Sequence, residues 1–217
     1  MASQVVQGIQ SRGVAATLKH FVANEQETGR MTIDTTISER TLREVYLRPF
    51  EIAVKEARPW AIMTAYNKVN GDHCDSSRSL LTRVLRGDWG WDGLVMSDWG
   101  GTNSLIEGLN AGTDLEMPSP PRWRQAVRVH EAITRGQLTE ETISTRVCAV
   151  IRLLHQVGAF IPDRSKGVET SNDRPEDRAL IREAGAKGCV LLKNEKGVLL
   201  LTLDKARGKT IAVIGQA

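Results

Sequence analysis

The chain has 217 residues, a formal net charge of +3, 25% charged residues and 41% hydrophobic residues. That is an ordinary globular composition with enough apolar side chain to bury a core, and a length suited to one large domain or one and a half. The charge is small, the basic residues are spread along the chain, and no Lys/Arg cluster is interleaved with aromatics, so nucleic acid and anionic membrane are not indicated as partners. The cysteines, Cys74, Cys148 and Cys189, are far apart and form no C-x-x-C pair, which argues against a zinc site or a disulfide framework. Cys148 and Cys189 lie in apolar runs and read as small buried hydrophobes. No apolar run reaches the ~18 residues of a membrane helix. The first four residues lack the basic and apolar regions of a secretory leader, which bears on location only if Met1 is the true start.

A unit recurs along the chain: an apolar run, a polar loop, then a helical pattern. Residues 14–21 are the first apolar run, and residues 23–37 its loop. Ser38 is an N-cap for a helical stretch ending near Ala57, with a break or kink expected at Pro49. The second unit has its strand at 61–66, a loop at 67–76 with the turn signal Asn70-Gly71, and a helix at 77–86. The third has a strand at 93–97, a Gly100-Gly101 loop and a helix near 104–110. A fourth short strand is expected at 113–117, before Pro118, Pro120 and Pro121. Amphipathic helices follow at 122–135 and 140–157, with Gly136 as the stop between them. Residues 161–175 read as a linker, and Pro175 suits the first turn of a helix running to Lys187. Apolar strands are expected at 189–192 and 210–214.

Strands alternating with helices predict a parallel sheet with helices outside, an α/β fold. About four strands are legible, against the eight of a closed (β/α) barrel, so the pattern resembles the second half of a TIM-like barrel. Successive strands end in Lys19-His20, Tyr66-Asn67 and Asp98-Trp99. In a (β/α) barrel that rim is where active sites are built, and three polar strand ends together point to a site more than to loops that merely begin there.

Asp98, in Val95-Met96-Ser97-Asp98-Trp99, is the main candidate. A glycosidase needs one carboxylate to attack the anomeric carbon or activate water, and a second carboxyl group to protonate the leaving oxygen. Lys19 and Arg30 nearby would favour an ionised Asp98. Spacing alone leaves a helix-capping Asp equally open. A Lys19/His20 pair can donate to vicinal hydroxyls, or can be a snorkelling Lys beside a structural His. The Arg30 fork could hold a diol or carboxylate, or lie on the surface. Tyr66 could orient the nucleophile or pack the wall, and Trp99 could form a platform for a sugar face. Asp114 and Glu116 read as a cap or supporting groups before a general acid. His20, His73, His130 and His155 have no metal-ligand spacing, and phosphate-loop and nucleophile-elbow patterns are absent.

These motifs together resemble glycoside hydrolase family 3, and within it the β-glucosidases. The matching segments are Lys19-His20-Phe21-Val22-Ala23-Asn24 with the loop to Arg30, Thr64-Ala65-Tyr66-Asn67-Lys68-Val69-Asn70-Gly71, Ser97-Asp98-Trp99, and Gly112-Thr113-Asp114-Leu115-Glu116-Met117-Pro118. Gly188-Cys189-Val190-Leu191-Leu192-Lys193-Asn194 and Ile211-Ala212-Val213-Ile214-Gly215 look like the opening of the family's second domain. The resemblance implies a retaining enzyme that cleaves terminal β-glucosyl residues without a cofactor. Asp98 would be its nucleophile, and Lys19, His20, Arg30, Tyr66 and Trp99 would line the sugar subsite. The implied organisation is the C-terminal part of a barrel at 1–160, a linker at 161–175, and the start of an α/β sandwich domain at 176–217. The family's acid/base is a Glu of the second domain, matched by no residue here, so the chain alone is expected to be inactive and poorly soluble. A relative acting on xylose or arabinose, or a non-catalytic remnant, is the alternative. Secretion is suggested by resemblance only, and oligomeric state is open.

Overall fold

A computed structural model describes residues 1–162, 169–197, 199, 201–212 and 214–215. The chain divides into two compact units, Met1–Gly167 and Val168–Ala217.

The first unit begins with helix α1, Ala2–Gln10, which no side-chain cap announces. Strand β1, Thr17–Phe21, follows, and then the short β2, Asp34–Thr35. Ser38 caps α2, Glu39–Thr41, accepting from the Thr41 amide, and the chain continues as a π-helical turn, Leu42–Tyr46, into α3, Arg48–Ala57. The break expected at Pro49 lies just before it: Pro49 occupies the first turn of α3, where its missing N–H costs nothing. Strand β3 is Ala61–Thr64, the short strands β4 and β5 are Lys68–Val69 and Asp72–His73, and β6 is Leu94–Met96. The segment before β6 that reads as an α-helix is π-helical over Ser79–Asp88 and closes with Trp89 N–H donating to the Val84 carbonyl at 3.0 Å. The wider turn puts Leu80, Leu81, Val84 and Leu85 together on the buried face. Helix α4 is Ile106–Ala111, α5 is Ala126–Thr134 and α6 is Glu140–Gln156, the last capped by Thr139.

The main sheet has the order β1-β3-β6, all parallel, with Leu18, Ile62 and Val95 in register. The fourth expected strand is reduced to a single bridge, Met96 with Leu115. The Asp114 carboxylate takes the Val95 amide at 2.8 Å, which spends a donor that a longer ladder would use. A second small sheet joins β2 to the hairpin of β4 and β5. Asn70 and Gly71 turn that hairpin with φ of 52° and 96°, the positive pair that a two-residue turn needs.

The core lies between the sheet and its helices. Phe21, Leu47, Val54, Ile62, Leu81, Leu85, Trp91 and Val95 are all essentially buried. Phe21 meets Phe50 edge-on at 5.1 Å, and the Trp91 indole donates to the Pro59 carbonyl at 2.7 Å. Among the described residues no helix is long and apolar enough to cross a membrane.

In the second unit, α7, Pro175–Gly188, starts where Pro175 indicates, and α8 is Leu203–Ala206. Residues 189–192 form no strand, nor do the described residues of 210–214; Val213 lies outside the described residues. A strand exists only through a hydrogen-bonded neighbour, and these apolar runs find none among the described residues. The expectation of buried Cys148 and Cys189 also fails: both are exposed, and only Cys74 is buried. Cys148 falls in an apolar stretch of α6, but the single residue of that helix that is buried is Ala149, the next position round.

Candidate active site

Parallel pairing brings the C-terminal ends of β1, β3 and β6 to one edge of the sheet. His20 lies within β1, Tyr66 two residues past β3 and Asp98 two residues past β6. The Ala65 amide donates to the Phe21 carbonyl at 2.7 Å, which aligns the first two ends. His20 and Asp98 come from the two outer strands and meet across the middle one. The Asp98 carboxylate Oδ2 is 3.2 Å from His20 Nε2, and the Asp98 side chain is 10% exposed. Its Oδ1 accepts from the Trp99 amide at 2.7 Å. Both oxygens are therefore oriented.

Tyr66 is buried beside this carboxylate, and its hydroxyl donates to the Trp99 carbonyl at 2.9 Å. Burial raises the phenol above its usual range, and the nearby Asp98 charge adds to that, so the hydroxyl stays a donor at neutral pH. The Arg30 guanidinium lies over the Tyr66 ring, 5.1 Å from its centre, and pairs with Glu27 at 3.1 Å. Trp99 is 61% exposed, with its backbone tied down and its ring open to a ligand. Lys19 is exposed and lines a groove of about 580 Å³ with His20, Asn24 and Glu25 over Phe50 and Ala53.

His20, Tyr66, Arg30, Trp99 and Asp98 thus gather at one place, and Lys19 borders it. The charge relations differ from the expectation. Lys19 and Arg30 make no ion pair with Asp98 among the described residues; the basic group that reaches it is His20.

Two further carboxylates are committed elsewhere. Asp114 accepts from Arg86 and from Arg146, each at 2.9 Å, and its side chain is 1% exposed. Burial pushes its carboxyl up while Arg86, the Val95 amide and Arg146 pull it back. Glu116 receives the backbone amides of Arg122, Trp123 and Arg124 at 2.8–3.1 Å. The helix expected from 122 begins only after these residues, at Ala126. Neither group is free to protonate a leaving oxygen. A larger hollow, about 680 Å³, is lined by Arg86, Trp91, Asp114 and Arg146 and does not include Asp98. Among the described residues no group of three His, Cys, Asp or Glu could hold a metal ion.

Asn67, grouped with Tyr66 in the sequence, is fully buried and structural: its side-chain amide donates to the carbonyls of Val22 and Ala23 at 3.2 and 3.1 Å. That anchors Ala23, which has a φ of 60°. Sequence reasoning did not single out Asp75 or Asn103, which bond to each other at 2.9 Å behind the Asp98 loop. Asp75 sits in a run of turn-forming residues where an Asp carries no distinguishing signal.

Known proteins resemble the chain in sequence and in fold. Residues 1–153 match the model of the glycosyl hydrolase family 3 N-terminal domain. The chain is 52% identical to beta-glucosidase B of Emericella nidulans over 221 aligned positions, covering 100% of this chain and 26% of that protein. It is 51% identical to a beta-glucosidase of Rhizobium radiobacter, covering 97% of this chain and 25% of the other. It thus spans about a quarter of the length of these curated relatives. The beta-glucosidase of Kluyveromyces marxianus in complex with glucose superposes with a TM-score of 0.86 at 44% identity, over 92% of this chain and 24% of that one. Beta-glucosidase 3B of Thermotoga neapolitana in complex with glucose gives 0.83 at 44% identity, over 92% and 28%. On the family match and these identities, the chain belongs to glycosyl hydrolase family 3.

Proposed function

We propose that the chain carries the nucleophile side of a retaining β-glucosidase site, with Asp98 as the nucleophile. The observation that carries this reading is the Asp98 carboxylate itself: nearly buried, at a strand end, and oriented by His20 on one oxygen and the Trp99 amide on the other. Asp98 would attack the anomeric carbon as the glycosidic oxygen leaves, forming a covalent glycosyl-enzyme that water then hydrolyses. Lys19, His20 and Arg30 would donate to sugar hydroxyls. Tyr66, held protonated, would keep the Trp99 backbone in place, and the Trp99 ring would face the sugar. The names and glucose complexes of the relatives support a terminal β-glucoside as substrate.

The acid/base would come from polypeptide outside this chain, because Asp114 and Glu116 are tied up. The three-stranded parallel sheet would be an arc of a TIM-like barrel, residues 161–175 a linker, and 176–217 the start of an α/β sandwich domain. On this reading the chain by itself turns over little or no substrate.

Hydrolysis of an aryl β-glucoside tests it. The isolated chain should show no turnover above background. The same residues grafted in place of the matching quarter of the Emericella nidulans enzyme should support hydrolysis. Asp98→Asn in that graft should cost on the order of 10⁴-fold or more in kcat, the scale of losing a nucleophile. A graft that keeps its rate after Asp98→Asn would refute the assignment, and an active isolated chain would refute the missing acid.

A further inference from the structure

The loop after Asp98 contains no helix or strand through Ser104, yet it carries the Trp99 ring into solvent. Its backbone is fastened at successive points. The Trp99 carbonyl accepts from Tyr66, the Gly100 amide donates to the Met117 carbonyl at 2.8 Å, and the Gly101 amide donates to the Asp98 carbonyl at 2.9 Å. The Gly101 carbonyl accepts from the Asn103 side chain at 3.0 Å. Asn103 is in turn held by Asp75: its amide donates to Asp75 Oδ2 at 3.0 Å and its side-chain nitrogen to Asp75 Oδ1 at 2.9 Å.

Asp75 belongs to a different connection, the one between β5 and the π-helix, and it is fully buried. A buried carboxylate is costly unless it is bonded and compensated. Asn103 supplies the bonds. Arg124 lies close by, and its buried guanidinium nitrogens make no hydrogen bond among the described residues. Arg124 Nη2 and Asp75 Oδ2 both border Gly108, each 3.7 Å from where a Cβ would sit. The Asp75 backbone is fixed as well, since its carbonyl accepts from Thr113 at 2.6 Å. Asp75 is thus a rigid anchor two residues back along the bond chain from Gly101, and Gly101 bonds Asp98 directly.

We propose that Asp75 is a positioning residue that, through Asn103, fixes residues 98–103 so that the Asp98 carboxylate and the Trp99 ring face one bound sugar. The role rests on Asp98 being the nucleophile, whereas the clamp itself does not. A structural Asp would serve only folding. A positioning Asp sets how well the site grips substrate, because misplacing a ligand-facing group by an ångström is costly to catalysis.

The clamp is tested by amide hydrogen exchange and its role by kinetics, both in the graft described above. Asp75→Asn places an N–H against the Asn103 donors, and should speed exchange at Gly101 and Asn103 by about tenfold or more, with the amides of α6 unchanged. Asn103→Asp sets two carboxylates face to face and should do more. The reciprocal pair Asp75→Asn with Asn103→Asp restores a donor opposite an acceptor, and should exchange more slowly than Asn103→Asp alone. In the graft, Asp75→Asn should raise KM by roughly fivefold or more, where a loss of folded protein alone would lower apparent kcat and leave KM in place. Unchanged exchange at Gly101 and Asn103, or a reciprocal pair no better than Asn103→Asp, overturns the clamp. Faster exchange with unchanged KM overturns the positioning role. Activity surviving Asp98→Asn would overturn the nucleophile assignment and leave the exchange result standing.

Discussion

Replacing Asp114 by Asn keeps the shape of the side chain and removes its charge, which isolates what the carboxylate does. Its two oxygens hold Arg146 and Arg86 at 2.9 Å each and the Val95 amide at 2.8 Å, with 1% of the side chain exposed. The side chains of Arg86 and Arg146 are 23% and 17% exposed. Breaking a buried pair leaves the other charge uncompensated, which costs about 3–5 kcal/mol. Asn keeps one carbonyl for the Val95 amide but turns an NH2 toward a guanidinium. The loss should therefore fall in that range, a large share of the ~5–15 kcal/mol that holds a domain folded. Urea unfolding followed by far-ultraviolet circular dichroism reads it directly. Adding Arg146→Met to Asp114→Asn should recover part of the loss, because one stranded charge is removed. A loss below about 1 kcal/mol, or a double variant weaker than the single by the full cost of Arg146→Met, would refute the view that Asp114 serves structure and not proton transfer.

Further outcomes follow from packing and titration. Gly93 precedes β6 in contact with Trp91, and a Cβ there would sit 2.7 Å from the Trp60 carbonyl oxygen. Gly93→Ala should cost about 1–3 kcal/mol, lowering the melting temperature by roughly 3–10 °C; a change under about 1 °C would contradict the crowding. Burial pushes the Cys74 thiol from its ordinary 9.0 to about 12. The unfolded thiol ionises near pH 9 while the folded one keeps its proton. Its contribution is thus whole below pH 9 and falls as pH rises toward 12, by at most ~1.4 kcal/mol per pH unit. Cys74→Ala should flatten that alkaline slope in unfolding measurements between pH 9 and 11, and equal slopes would contradict it. The raised Tyr66 phenol adds a loss of the same sign above pH 10.

Local chemistry accounts for the periodic part of the protein, and it is legible residue by residue. Ser38 marks a helix start through its side-chain hydroxyl and Pro175 through its fixed backbone, Asn70-Gly71 marks its turn, and the apolar runs mark β1, β3 and β6. The strand-end positions of His20, Tyr66 and Asp98 follow, since a parallel sheet aligns the ends of its strands. Tertiary structure decides where side chains compete with backbone. The short fourth strand reflects the Asp114 carboxylate taking the Val95 amide, and residues 122–124, expected in a helix, give their amides to Glu116 before α5 begins. The apolar run at 189–192 and the described residues of 210–214 illustrate the opposite limit: composition favours a strand, but a ladder needs a neighbour that no local pattern supplies. Asp75 and Asn103 lie 28 residues apart, and only the folded sheet brings their loops together. Whether an Asp is a cap, a clamp or an oriented nucleophile depends on which amides and cations surround it in space, and those partners come from distant parts of the chain.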